Sequence, residues 1–357
     1  MSKWMAAYKS DSILIALVSI VLGLLCGGIV LLIGGFNPII AYQALFLKVF
    51  GSPYDFGETM RQITPIMLTG LAVAFAFRTG LFNIGVEGQF LMGMTGASIV
   101  GITLSLPWYI HAPLAVVVGA LFGSLWAAIV GLLKATRGIN EVIVCIMLNW
   151  VALFLSNNII RTLLLEPGQQ RSQNVAETAS ISIKGLLGFF DNARIHWGMP
   201  IAVLCVVFFY LYLSRTKQGY ELRAIGHSPS AAEYAGMSVP YNMVKTMAIS
   251  GMFAGLAGTF QVLGVFQYQS IVSSLPGYGF DGIAVALLGM NNPFGVFLSS
   301  ILFGSLGFGS AGMSFETGAP QEVVRIVFGS IIFFVAAQGI VRALLIRMRI
   351  IPKKKVS

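Results

Sequence analysis

The chain has 357 residues, of which 10% are charged and 57% hydrophobic. Soluble domains run near 25% charged, so the composition excludes a soluble enzyme and calls for a lipid environment. The net charge of +9 does not mark a nucleic-acid binder. Arg342, Arg347, Arg349, Lys353, Lys354 and Lys355 gather directly after the last apolar run, where the positive-inside rule places a cytoplasmic tail facing anionic lipid.

A hydrocarbon core about 30 Å thick takes roughly 20 apolar residues per helix, and such runs recur along the whole chain, giving an all-α polytopic membrane protein of about ten transmembrane helices, some short or broken. Residues 1–357 read as a single transmembrane domain. The first run, residues 12–32, follows Lys3 and Lys9. It is too long for a signal-peptide core and lacks a convincing cleavage site, so it reads as a retained span. Residues 37–62 are charge-balanced (Lys48 and Arg61 against Asp55 and Glu58) and read as a short interfacial helix plus a loop.

Spans follow at residues 63–77, 81–104, 114–133 and 142–160, with Pro107 and Pro113 bracketing one outer turn. A loop rich in Gln, Ser, Asn and Thr, residues 161–197, leads to a span at 199–213. The polar loop 215–245 comes next, then a span at 246–266 and a turn-rich stretch to residue 280. A short apolar piece, 282–290, stops at Asn291-Asn292-Pro293 before two last spans at 294–310 and 323–345. Basic residues at both ends place both termini inside, so the crossings must be even in number and the short piece counts as one. The string LFGSL occurs at 121–125 and again at 302–306, in spans of opposite direction. That is what an inverted 5+5 repeat would produce.

The sharpest local signal is RTGLFNIGVEGQF, residues 78–90. It sets Asn83, Glu87 and Gln89 among glycines at a membrane segment. Intramembrane polar groups are costly and face protein or a watery path. Asn83 and Glu87 either line such a path or cap a helix start, where acids are favoured. Asp281 opens the short piece at 282–290, with Phe280-Asp281 in the second half placed as Phe82-Asn83 is in the first. It reads as a second pathway element or as an N-cap. The span at 142–160 carries Asn149, Asn157 and Asn158; Asn149 and Asn157 share one helical face, and such amides either line a conduit or join helices by hydrogen bonds. Phe266 and Gln267, followed by Tyr268 and Gln269, could hold a planar ligand or form an interfacial aromatic belt.

Within the loop 215–245, Ser228 suits an N-cap, Pro229 the first helical position and Gly236 the stop. That predicts one short helix at 228–236 with defined ends, as a partner-docking element needs. The cysteines Cys26, Cys145 and Cys205 lie in apolar segments and read as small buried hydrophobes. His111, His196 and His227 are scattered in loops without metal or triad spacing and read as surface residues. No Gly-Lys dipeptide occurs, so no P-loop can form.

GLFNIGVEGQF (80–90), GYELRAIGHSPSAAEYAGMSV (219–239) and GMFAGLAGTFQV (251–262) resemble the permease subunits of binding-protein-dependent ABC importers. The branch is the one serving branched-chain amino acids, ribose-type sugars and nucleosides. TRGINEVIVCIMLNW (136–150), with Phe36-Asn37-Pro38 and Tyr42-Gln43-Ala44-Leu45, looks most like the nucleoside (purine-type) permeases paired with a Bmp-like lipoprotein. The resemblance implies that residues 228–236 are the coupling helix, with Arg223, Ser228, Pro229, Ala231, Glu233, Tyr234 and Gly236 serving the ATPase contact. It implies a plasma-membrane importer without chemistry or cofactor of its own, ATP being used by a cytoplasmic ABC ATPase. A second permease, as a heterodimer, and an extracellular substrate-binding lipoprotein complete the expected set. The expected cargo is a nucleoside, with a ribose-type sugar or branched-chain amino acid as alternatives. An ion-coupled secondary transporter would want acids deep in the bundle, and only Glu87 and Asp281 approach that.

Overall fold

The computed structural model describes residues 2–183, 185 and 188–348; Arg349, Lys353, Lys354 and Lys355 of the basic tail lie outside them. The helices are α1 Ser2–Ile33, α2 Pro38–Phe50, α3 Pro53–Arg78, α4 Val86–Thr103, α5 Trp108–Arg137, α6 Glu141–Ile159, α7 Gly198–Arg215, α8 Lys217–His227, α9 Pro229–Tyr234, α10 Val239–Phe260, α11 Tyr278–Leu288, α12 Pro293–Thr317, α13 Gln321–Ala336 and α14 Gln338–Arg347. Single π turns extend α6 (Ile160–Leu164) and α10 (Gln261–Phe266). Among the described residues, extended pairing is limited to isolated bridges.

Local chemistry sets the helix ends. Asn37 and Asn140 are N-caps whose side-chain oxygens accept from the amides of Ile39 and Val142, and Pro38 occupies the first turn, where its missing N–H costs nothing. Gly138 ends α5 in the left-handed region, φ 64°.

Among the described residues, six helices are long and apolar enough to cross a membrane: α3, α5, α6 with its π turn, α7, α10 with its π turn, and α12. The pair α13 and α14 qualifies as one span bent by 66°. Residues 18–33 of α1, α2 and α11 are apolar but shorter.

The chain divides into two compact units, with the boundary inside α12. In the unit made of residues 1–52 and 306–357, α1 lies along α13 so closely that a Cβ on Gly23 would stand 2.7 Å from the Ile331 Cα. The Tyr42 hydroxyl donates to the Leu24 carbonyl at 2.6 Å. In the unit of residues 53–305, α3 and α10 form the interior. Their apolar windows are 78% and 83% buried, against 28% for α5, which lies at the surface of the chain. The α4, α5 and α10 backbones touch through glycines. A Cβ on Gly123 would meet the Gly251 carbonyl at 2.5 Å, and one on Gly255 the Gly119 carbonyl at 2.7 Å. Without a hydrophobic drive inside lipid, such small-residue contacts supply the dispersion that holds helices together.

Several sequence expectations change. Residues 53–62 are not a loop but the first turns of α3. The span expected at 81–104 is broken, with residues 79–85 non-helical and α4 starting at Val86. The polar loop 215–245 holds two helices, α8 and α9, and the start of α10 rather than one short helix. Of the histidines read as surface residues, His227 is exposed, but His111 lies in α5 and is buried, bonding Thr178 and the Val100 carbonyl. His196 is buried too, its Nδ1 accepting from the Gly198 amide at 3.1 Å.

Candidate functional site

The unit of residues 53–305 carries three connected features. The first is the break between α3 and α4. Ser250 of α10 donates to the Ala72 carbonyl at 2.6 Å and accepts from Asn83 Nδ2 at 2.8 Å. Ala72 lies six residues before Arg78, or about 9 Å along the helix axis at 1.5 Å per residue, so the break turns back into the bundle. Asn83 and Gln89 pair their amides in both directions at 2.9 Å, and Asn83 Oδ1 also accepts from the Gly85 amide. Asn149 Oδ1 accepts from the Gly88 amide at 2.8 Å and its Nδ2 donates to the Ile84 carbonyl at 3.1 Å. The three amides thus satisfy the peptide groups and one another where helical bonding lapses, as a lipid-buried break requires.

Glu87, in the first turn of α4, is fully buried. Its two carboxylate oxygens accept from the amides of Gly277 and Gly279 at the start of α11. One carboxylate therefore sits at two helix N-termini, each with its partial positive charge. The N-cap position of α11 is Gly277, in the left-handed region at φ 98°. Asp281 is not the cap. It stands exposed in the first turn, so it differs from the buried Asn83 that its sequence position suggested as a counterpart.

The second feature is a cavity of about 240 Å³ lined by residues of α4, the π turn of α10, the segment after it and the start of α11. Phe90 and Tyr278 stack with centroids 5.2 Å apart at 29°, and Phe266 and Tyr268, with centroids 6.3 Å apart, also line it. Gln261 and Gln269 supply its amides. Gln269 is satisfied, donating to Ser156 and Thr95 and accepting from Ser98. Gln267 lies outside the cavity lining, at φ 60°, and donates to the Leu263 carbonyl and to Ser180. Asn157 borders a separate recess with Asn158 and Arg161 and exchanges two hydrogen bonds with the Val272 backbone.

Loop residues 165–197 close this end of the unit. Backbone amides of Ser172, Val175 and Ile181 donate to the carbonyls of Gln269, Gln267 and Leu263. Arg194 grips the buried Glu58 of α3 through Nε, Nη2 and its backbone amide, while Arg61 takes the same carboxylate from its own helix. The carboxylate holds the Arg194 guanidinium above its ordinary pKa. His196 is pushed down to about 4, by burial first and then by the Arg61 charge.

The third feature is the α8–α9 pair at the opposite end. Ser228 Oγ accepts from the Ala231 amide at 3.3 Å, Pro229 opens the first turn, and Gly236 stands at φ 83° after the last. One residue of α9, Ala232, is buried, packed with Ile225 and Val239. Ser228, Pro229, Ala231, Glu233, Tyr234 and Gly236 face outward, Tyr234 at 97% exposure. Arg223 of α8 borders a recess with Arg78 and His227. Gly226 seats α8 on the break: a Cβ there would stand 2.8 Å from the Arg78 carbonyl.

Sequence reasoning singled out Phe266, Tyr268 and Gln269 of the lining but passed over Gln261, Phe90, Tyr278 and the Glu58–Arg61–Arg194 cluster. Gln261 was within sight, an amide closing an apolar, glycine-rich helix, where a polar residue is expensive. Among the described residues, no group of three or more His, Cys, Asp or Glu is placed to hold a metal ion.

Residues 56–336 match the family described as the branched-chain amino acid transport system / permease component. The chain is 46% identical over 334 residues to the guanosine ABC transporter permease protein NupP of Bacillus subtilis (strain 168), covering 94% of this chain and 96% of that one. It is 35% identical to the nucleoside ABC transporter permease protein NupB of Lactococcus lactis subsp. cremoris (strain MG1363), covering 98% and 97%. It is 31% identical to the glucose ABC transporter permease protein TsgB13 of Haloferax volcanii, covering 88% and 85%. With the family match spanning residues 56–336 and relatives this similar over nearly their full lengths, the chain belongs to the branched-chain amino acid transport system / permease component family.

Proposed function

We propose that this chain is a permease subunit of an ATP-driven importer that passes a nucleoside, received from an extracellular binding lipoprotein, across the plasma membrane. The likeness to guanosine and nucleoside permeases over nearly the full length of the chain carries this reading. The break, the cavity and the α8–α9 foot fit it mechanically. A cytoplasmic ATPase would receive the foot through Arg223, Ser228, Pro229, Ala231, Glu233, Tyr234 and Gly236, and residues 228–236 act as the coupling helix. The chain would be one half of a heterodimeric channel of ten crossings per subunit, built on an inverted 5+5 repeat with both termini cytoplasmic. Phe266 borders the route at the cavity, and Asn157 at the neighbouring recess. Asn83, Glu87, Gln89 and Asn149 hold the break that frames it, and Gln267 and Asp281 flank it.

The likeness to a glucose permease favours one second reading, the same machine carrying a sugar. Proteoliposomes holding the complete importer decide. ATP-dependent accumulation of guanosine, abolished by a hydrolysis-dead ATPase, supports the first reading. Accumulation of glucose or ribose without guanosine supports the second. Guanosine uptake that survives the dead ATPase overturns both.

A further inference from the structure

We infer that the cavity bounded by Phe90, Gln261, Phe266, Tyr268 and Tyr278 is a transient site for a heteroaromatic base on its way through the chain, with the Gln261 carboxamide reading the base's hydrogen-bonding edge. This rests on the nucleoside reading above and adds the residue that recognises the cargo inside the membrane.

The observation that carries it is a contrast among amides. Asn83, Gln89, Asn149, Asn157, Gln267 and Gln269 are each tied to other groups. Gln261 is 1% exposed, lines the cavity, and neither its Nε2 nor its Oε1 has a hydrogen-bond partner. A carboxamide offers two donors and two acceptor positions, and burying it unsatisfied in an apolar bundle is unfavourable. A structural glutamine would have been bonded like its six counterparts or replaced by leucine. An amide left unpaired in a cavity is one kept for a visitor.

The surroundings say what the visitor is. Gln261 is the first residue of the π turn, and π turns concentrate at functional positions. The walls are aromatic faces, Phe90 stacked on Tyr278 and Phe266 beside Tyr268, which suit a flat π system. The Tyr278 hydroxyl lies near the amides of Gln261 and Gln62 without making a hydrogen bond of ordinary geometry to Gln261, so the Gln261 carboxamide can turn to a guest. A carboxamide presents one donor beside one acceptor and pairs bidentately with the matching edge of a purine. The volume of about 240 Å³ lies just under the 300 Å³ or so at which ordinary small-molecule sites begin. That suits a base passing through rather than a ligand stored.

The test uses the complete importer in proteoliposomes with guanosine and ribose as probes, and the purified permease for thermal unfolding. Gln261→Leu removes an unpaired polar group and fills the same space. It should unfold at the same or a higher temperature, because replacing an unsatisfied buried group by an apolar one is neutral or stabilising. Guanosine uptake should fall by about tenfold or more, since a polar edge brought into a site that no longer hydrogen-bonds it is left unpaired and is recognised poorly. Lipoprotein affinity for guanosine should not change. If the leucine variant misfolds, Gln261→Met, which keeps the unbranched stem, takes its place. Guanosine uptake within about twofold of wild type in the stable variant overturns the inference. A wild-type importer that moves ribose and no guanosine overturns the nucleoside reading itself, an outcome distinct from a tolerant Gln261 variant.

Discussion

Glu87 joins two helix starts, so its replacement should loosen both. Each carboxylate oxygen takes one backbone N–H of α11, and a hydrogen bond to a charged partner contributes about 1.5–3 kcal/mol. Gly279 is buried and would be left with an orphan N–H, whereas Gly277 is only partly buried and water can replace part of what it loses. Glu87→Leu should therefore cost about 3–5 kcal/mol, the lower part of the two-bond range. Glu87→Gln keeps one acceptor oxygen and should cost about half as much. With about 2–4 °C per kcal/mol for domains of 150–250 residues, that is a fall in Tm on the order of 10 °C for leucine and 5 °C for glutamine. The measurement is thermal unfolding of detergent-purified protein in one fixed detergent. A leucine variant that unfolds with the wild type, or a glutamine variant less stable than leucine, would show that the carboxylate does not hold α11 and would refute the reasoning.

Three further outcomes are expected. Ala231→Glu, on the exposed face of α9, should leave membrane insertion and Tm unchanged while lowering ATP-driven uptake by about tenfold, the equivalent of roughly 1.4 kcal/mol at the docking contact; full uptake, or disappearance of the protein from the membrane, counts against this. Gly255→Val should separate α5 from α10, because its Cβ has the Gly119 carbonyl at 2.7 Å and the Gly123 Cα at 3.1 Å; overpacking of this kind costs about 1–3 kcal/mol, while Gly329→Ala, with nothing within 4 Å, should keep or raise Tm. His196 is neutral when folded, with its pKa near 4 against 6.5 unfolded, so the unfolded chain binds the extra proton. Its contribution is complete above pH 6.5 and is lost as pH falls toward 4, by up to about 3 kcal/mol; Tm measured from pH 7.5 to 4.5 should drop more steeply for the wild type than for His196→Asn, and parallel curves would exclude the effect.

What the sequence made legible was whatever short-range chemistry decides. The Ser228-Pro229 start and the Gly236 stop of α9 are decided by residues within one turn of each helix end, so they could be read directly. What it concealed depends on partners far along the chain. Residues 53–62 looked like a loop because Glu58 and Arg61 are charged, yet Glu58 is buried against Arg194, 136 positions away. The break at residues 79–85 was hidden by Leu81, Phe82 and Ile84, apolar letters that fit a helix. His196 looked superficial in a polar loop, but that loop folds back and lays its ring against Gly264. For the site, composition marked the amides as unusual, but only coordinates distinguish the bonded Gln269 from the unbonded Gln261.

The loop at residues 165–197 is stitched to the π turn by main-chain bonds at Leu263 and Gln267 and clamped to α3 at Glu58. The main-chain bonds of that seam depend on backbone geometry and not on side-chain identity, so most substitutions along the loop should leave the turn that carries Gln261 where it is.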